Sequence, residues 1–93
     1  MLTADALREG VFRFDPSDGI YTDHFPGYPV VPGSLIIQAF LDVAGAVREI
    51  EEFRFRSFLC PGDYRYRLMR RDGRWDCTLT QEEQIMVRGK LRI

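Results

Sequence analysis

The sequence predicts an α+β fold in which a mostly antiparallel sheet wraps around one central helix. Three observations carry this. Residues 34–49 hold the long stretch with apolar side chains at helical spacing. The segments before and after it alternate apolar and other residues with the period of a strand. Asp72-Gly73 sits between two such segments, and this dipeptide strongly favours a two-residue hairpin. Strands on both sides of one buried helix give the α+β pattern. A chain of 93 residues makes room for one domain. A domain this small buries only about 60% of the surface its unfolded form exposes, so stabilisation by a partner chain is expected.

Taken in order, Met1–Glu9 reads as a short helical turn or a frayed end. Val11-Phe12-Arg13-Phe14 alternates as a strand, and Asp15-Pro16-Ser17-Asp18-Gly19 is turn chemistry. Ile20–Thr22 extends again and leads to His24. No helix fits Phe25–Pro32, because Pro26, Pro29 and Pro32 fix their own φ and push the preceding residues toward extended backbone. A loop stiffened in this way loses little entropy on ordering. From about Ser34 to Glu49, Leu35, Ile36, Ala39, Phe40, Val43, Ala44 and Val47 cover a wide apolar arc that Ile37 and Leu41 extend. One polar stripe remains, Gln38, Asp42, Gly45 and Glu49, at steps of four and three. A helix so apolar needs cover on most sides, which a curved sheet provides. Phe53–Phe58 alternates as the next strand, and Cys60-Pro61-Gly62-Asp63 turns the chain. Tyr64–Leu68 and Trp75–Leu79 flank the Asp72-Gly73 hairpin. A polar turn at Gln81-Glu82-Glu83 then leads into the last strand, Ile85–Ile93.

Composition narrows the function classes. The hydrophobic fraction of 45% and aromatic fraction of 13% are those of a folded domain. No apolar run reaches the ~18 residues that span a bilayer, and the acidic N-terminus is unlike a signal peptide. Cys60 and Cys77 lack metal-ligand spacing, so reduced thiols and a cytoplasmic location are expected, with no metal or organic cofactor. The net charge of -1 hides an asymmetry: residues 1–50 carry three basic and seven acidic side chains, residues 51–93 ten basic and seven acidic. Arg54 and Arg56, Arg65 and Arg67, and Arg88, Lys90 and Arg92 recur with period two, each group on one strand face. They form either a solvated sheet surface or a docking face for an anionic partner, such as an acidic carrier protein or the phosphate of a pantetheine arm. Nucleic acid fits less well, since the chain is net acidic and no recognition motif accompanies the arginines.

The segment His24–Ala39 concentrates the chemistry. It contains the one histidine and three of the five prolines, and it runs directly into the helix. A stiff loop there aims an imidazole and the bare amides of a helix N-terminus at a shared point. His24-Phe25-Pro26-Gly27, then Pro29, then Pro32-Gly33 and the polar-Ala pairs on the helix resemble the pattern of the FabZ/FabA-like 3-hydroxyacyl-acyl-carrier-protein dehydratases. Phe53-Arg54-Phe55 and Cys60-Pro61-Gly62-Asp63 resemble the family's next strand and turn. The resemblance covers about three-quarters of the chain.

The resemblance implies a hot-dog fold and conversion of 3-hydroxyacyl thioesters into trans-2-enoyl thioesters in fatty-acid or polyketide-type biosynthesis. His24 would be the base that removes the α-proton, since an unperturbed imidazole titrates near ~6.5. The amides of Gly33 and Ser34 would stabilise the negative charge developing on the thioester oxygen. Family members place a carboxylic acid where this chain has Gln38, often with Gln four residues later; here the order is Gln38 then Asp42. Either Asp42 takes the acid role while Gln38 orients the water, or the acid is lost and the chain binds thioesters or accompanies a competent subunit. The family implies base and acid from different subunits of a homodimer or higher even oligomer, acyl carrier protein as partner, and an acyl tunnel for which Phe25, Tyr28, Val30 and Phe40 are candidates. Hot-dog thioesterases generally lack this proline loop.

Overall fold

The computed structural model describes residues 6–17 and 30–93. The expected strand at Ile20–Thr22, the end of the turn at Asp18-Gly19 and most of the proline loop lie outside the described residues. The elements run β1 (Leu7–Phe14), α1 (Gly33–Ala44), β2 (Glu49–Phe55), β3 (Gly62–Arg71), β4 (Arg74–Gln81) and β5 (Gln84–Arg92). The strands form one sheet in the order β1-β3-β4-β5-β2, with every pairing antiparallel. Among the described residues, one helix laid on a five-stranded antiparallel sheet is the architecture the alternation and the apolar arc predict.

Strand alternation sorts the sheet into two faces. Trp75, Cys77 and Leu79 of β4 and Val87, Gly89 and Leu91 of β5 point to the buried side. Helix α1 covers that side with Ile36, Phe40 and Ala44, spaced four apart so that they stack on one stripe. Phe14, Tyr64 and Leu68 complete the core from β1 and β3. The other side of the sheet carries the charged residues. Arg13–Asp63, Arg67–Glu9 and Arg92–Glu49 bridge neighbouring strands there at 3.1, 3.8 and 3.6 Å, and Arg74–Glu51 reaches across β5 at 3.2 Å. Exposed pairs of this kind contribute at most about 1 kcal/mol each, so the apolar face holds the fold together.

Three boundaries differ from expectation. β1 begins at Leu7, not after Glu9, because residues 7–14 pair with β3 in unbroken register. Helix α1 stops at Ala44 rather than Glu49. Gly45 takes φ 82 and donates its N–H to Leu41 O at 3.0 Å, a backbone sign that glycine adopts without penalty. Val47 and Glu49 therefore leave the helix, and the polar stripe within α1 reduces to Gln38 and Asp42. β2 starts at Glu49 and ends at Phe55, so Phe58 is not in a strand and is 85% exposed.

A bulge shapes β2. Glu51 lies opposite Lys90 and Arg54 opposite Arg88, leaving Glu52 and Phe53 to face the single residue Gly89. Glu52 adopts φ 48 to admit the extra residue.

Candidate functional site

Helix α1 starts without a side-chain cap, since Pro32 is the capping residue. Of the four amides a helix start leaves without intrahelical partners, those of Leu35 and Ile36 reach Pro32 O at 3.0 and 3.3 Å. The amides of Gly33 and Ser34 carry no hydrogen bond among the described residues. Proline has no N–H to compete, so these two form a donor pair at the positive end of the helix. The start is anchored from behind: Val31 N donates to Leu59 O at 2.8 Å, and both residues are buried. A side chain on Gly33 would meet the Phe55 ring at 3.3 Å, so β2 closes over this end.

One and a half turns further on, Gln38 Nε2 donates to Asp42 Oδ1 at 2.9 Å. Both side chains are exposed, and they line a groove of about 270 Å³ with Arg13, Phe14, Asp15, Leu35 and Ala39. Asp15 sits at the end of β1 and accepts from the Ser17 amide at 2.8 Å and its hydroxyl at 2.7 Å. Those two bonds hold the Asp15 carboxyl below the ordinary carboxylate range. The groove thus contains two carboxyl groups, one carboxamide and a guanidinium that is itself bonded to Asp63. Larger hollows of about 510 and 550 Å³ lie on the sheet and do not include Gln38 or Asp42.

The structure places the remaining expected residues as follows. His24, Phe25 and Tyr28 lie outside the described residues. Val30 is half-buried, just before the buried Val31. Phe40 is fully buried, edge-on to Phe12 with ring centres 5.1 Å apart and tilted to Phe53 at 5.9 Å. Among the described residues no group of three or more His, Cys, Asp or Glu side chains is arranged to hold a metal, and no helix is long and apolar enough to cross a membrane.

Arg13 and Asp15 were not singled out from the sequence, because only the approach of β1 to α1 brings them beside Gln38. Arg8 was also missed. From β1 its Nη1 donates to Val43 O, and to Ala44 O at 3.2 Å, while the guanidinium lies 4.9 Å over the Trp75 ring. The helix has no basic residue in its own last turn; a strand distant in sequence supplies the positive charge its C-terminus favours.

A family model described as ApeI-like, ApeI dehydratase, matches residues 4–90. The 3-hydroxyacyl-[acyl-carrier-protein] dehydratase FabZ of Moorella thermoacetica is 36% identical over 94 residues, covering 98% of this chain and 66% of that protein. FabZ of Pelotomaculum thermopropionicum is 38% identical over 68 residues, covering 58% of this chain and 49% of that protein. The matched part of the chain therefore spans about half of one relative and about two thirds of the other. Among solved structures, the dehydratase heterocomplex ApeI:P from Xenorhabdus doucetiae contains a chain that superposes with a TM-score of 0.75 at 21% identity, over 96% of this chain and 88% of that one. At that identity the likeness speaks for the fold.

Proposed function

The chain belongs to the ApeI-like dehydratase family, and from that premise we propose that it is a 3-hydroxyacyl-[acyl-carrier-protein] dehydratase. In this reading it is a single hot-dog domain in the cytosol, acting as a homodimer or higher even oligomer on acyl chains carried by acyl carrier protein. Its place is in fatty-acid or polyketide-type biosynthesis.

The exposed Gln38–Asp42 pair beside the helix start carries the mechanistic part. The thioester oxygen sits at the amides of Gly33 and Ser34, where enolate charge is stabilised by fixed donors. His24 of one chain takes the α-proton. Asp42 of the other chain gives the proton on its second oxygen, the one Gln38 does not engage, to the 3-hydroxyl, which leaves as water. Gln38 orients that water through its carboxamide. The acyl chain runs beside α1 along Phe25, Tyr28 and Val30, above Phe40.

A second reading rests on Gln38 itself. A carboxamide neither gains nor loses a proton near pH 7, which favours an acyl-thioester-binding or accessory subunit whose own turnover has been lost. Incubation with a 3-hydroxyacyl thioester, followed by enoyl absorbance, separates the two. The dehydratase reading expects product from the wild type, and loss of it in His24→Ala and Asp42→Asn. Silence from the wild type together with turnover in Gln38→Glu would establish the accessory reading instead.

A further inference from the structure

The cations on the charged side of the sheet fall into two groups. Arg13, Arg67, Arg71, Arg74, Lys90 and Arg92 each reach a carboxylate within 4.0 Å. Arg54, Arg56 and Arg88 make no ion pair among the described residues, and these three line one hollow of about 510 Å³. Arg65, the other strand cation of this side without a carboxylate, lines separate hollows.

Strand pairing brings the three together. Arg54 lies directly opposite Arg88 across β2 and β5, where side chains start about 4.5–5.5 Å apart. Without the extra residue at Glu52-Phe53, the register that sets Glu51 against Lys90 would set Phe53 against Arg88; the bulge puts Arg54 there instead. Arg56 continues the alternation to the same side, about 7 Å further along the chain, and its N–H bonds Met86 O at 2.9 Å. A directly opposed like-charge pair costs stability unless another group relieves it. Glu83 and Gln84, at the turn into β5, add one carboxylate and one carboxamide to the same hollow. Three guanidiniums against one carboxylate leave two positive charges in excess.

We propose that this hollow is a binding site for a phosphate monoester, held by Arg54, Arg56 and Arg88. The charge fits: a phosphate monoester carries about −1.5 to −2 near pH 7. The donors fit as well. Guanidiniums present planar pairs of N–H groups that match phosphate oxygens, and three acceptor oxygens can engage three arginines. A carboxylate, with two oxygens and one charge, would leave part of the repulsion in place. The site is separate from the thioester groove. Its guanidiniums rise from the charged side of the sheet, whereas Gly33, Ser34, Gln38 and Asp42 belong to the helix on the other side. The ligand is therefore not the reacting acyl group, and the inference does not rest on the dehydratase reading. Because the bound anion relieves the Arg54–Arg88 repulsion, it also stabilises the folded chain.

Phosphorus NMR line widths of inorganic phosphate and glycerol 3-phosphate, titrated with the full chain, test the site. The wild type is expected to bind both at millimolar concentration or below. Arg54→Gln and Arg88→Gln are each expected to weaken binding at least about 10-fold, the usual worth of a hydrogen bond to a charged group. Arg67→Gln, on the same side but paired to Glu9, is expected to leave binding unchanged. Glu83→Gln removes the opposing charge and is expected to tighten binding at least about twofold. Urea unfolding gives a second readout. In chloride, Arg88→Gln is expected to unfold at a higher midpoint than the wild type, because the like-charge pair is gone. Added phosphate is expected to raise the wild-type midpoint and to leave that of Arg88→Gln in place. An equal rise in both would be general salt exclusion and would overturn the site. Wild-type line widths unaltered by the protein, or binding that survives in both arginine variants, would overturn it too. Flotation with phosphatidic acid and phosphatidylcholine vesicles identifies the source. Arginine-dependent capture by phosphatidic acid alone places the phosphate on a lipid headgroup; capture by neither, with binding of the soluble ester, places it on a free metabolite.

Discussion

Gln38 and Asp42 are joined by a 2.9 Å hydrogen bond across one helical turn, and the carboxamide is the donor. The direction matters. It commits Asp42 Oδ1 as an acceptor and leaves Asp42 Oδ2 and Gln38 Oε1 without a hydrogen bond among the described residues. A carboxylic acid in place of Gln38 would set two acids four residues apart, where like charges repel. The pair thus presents a single ionisable group, held in a defined orientation by its neighbour.

Asp42→Asn removes that group while keeping its shape. Turnover of a 3-hydroxyacyl thioester is expected to fall by ~10²–10⁴, the usual effect of deleting a positioned acid. Both side chains are exposed, so the denaturation midpoint is expected to move by less than about 0.5 kcal/mol equivalent. Gln38→Ala removes only the orienting amide and is expected to lower kcat less. Steady-state kinetics on the two variants check the order.

Arg8 holds the far end of the same helix. It donates to the carbonyls of Val43 and Ala44 and lies over the Trp75 ring. Arg8→Met keeps the apolar stem but leaves those carbonyls without a cationic donor, with an expected loss of about 1.5–3 kcal/mol. Arg8→Lys retains charge at the helix end but not the planar stack and is expected to fall between. Urea unfolding of the three proteins gives the comparison.

The sequence was legible where local chemistry determined the outcome. Asp72-Gly73 marks a two-residue turn, and both residues take positive φ, 51 and 73. The stripe spacing of Gln38 and Asp42 also held, because both fall within the helix. Legibility failed where tertiary structure overrode a local pattern. Val47 continued the apolar spacing past Gly45, so the helix read five residues too long. In β2 the bulge broke the alternation at Glu52, which hid the start of the strand. The turn Glu82-Glu83 takes φ 51 and 65, a conformation that glutamate rarely adopts, and nothing in its surroundings explains the choice. Arg8, Arg13 and Asp15 gave no local signal, since β1 meets α1 only in the folded chain.

Gly89 tests the bulge. A Cβ there would come within 2.4–2.5 Å of Cδ1, Cε1 and Cγ of Phe53. The ring cannot swing clear easily, because the clash includes its root and Phe40 lies against it at 5.9 Å between ring centres. Gly89→Ala is therefore expected to destabilise by about 1–3 kcal/mol, the usual range for overpacking. In a Phe53→Leu background the same change is expected to cost less, and the shortfall from additivity measures the contact. Equal costs in both backgrounds would mean that the ring does not set the register of β2.

The two cysteines should differ sharply in reactivity and in their effect on alkaline stability. Cys60 is exposed and Cys77 is buried, its thiol 3.6 Å from Trp75 O. Burial, with a smaller contribution from the neighbouring Asp76 carboxylate, pushes the Cys77 thiol up to about 12 from its ordinary value of 9.0. The thiolate is the reactive form, so one equivalent of a thiol reagent is expected to react with the native protein and a second only after unfolding. The linked stability has a definite sign. The unfolded chain loses the Cys77 proton near pH 9.0 and the folded chain only near 12. The stabilisation is complete below pH 9.0 and declines as pH rises toward 12, by at most about 1.4 kcal/mol per pH unit for one proton. Cys77→Ala removes that slope while leaving other alkaline titrations in place. The difference between wild-type and variant unfolding free energies, measured from pH 8 to 11, is therefore expected to shrink with pH; a constant difference would mean that the buried thiol ionises as readily in the folded chain as in the unfolded one.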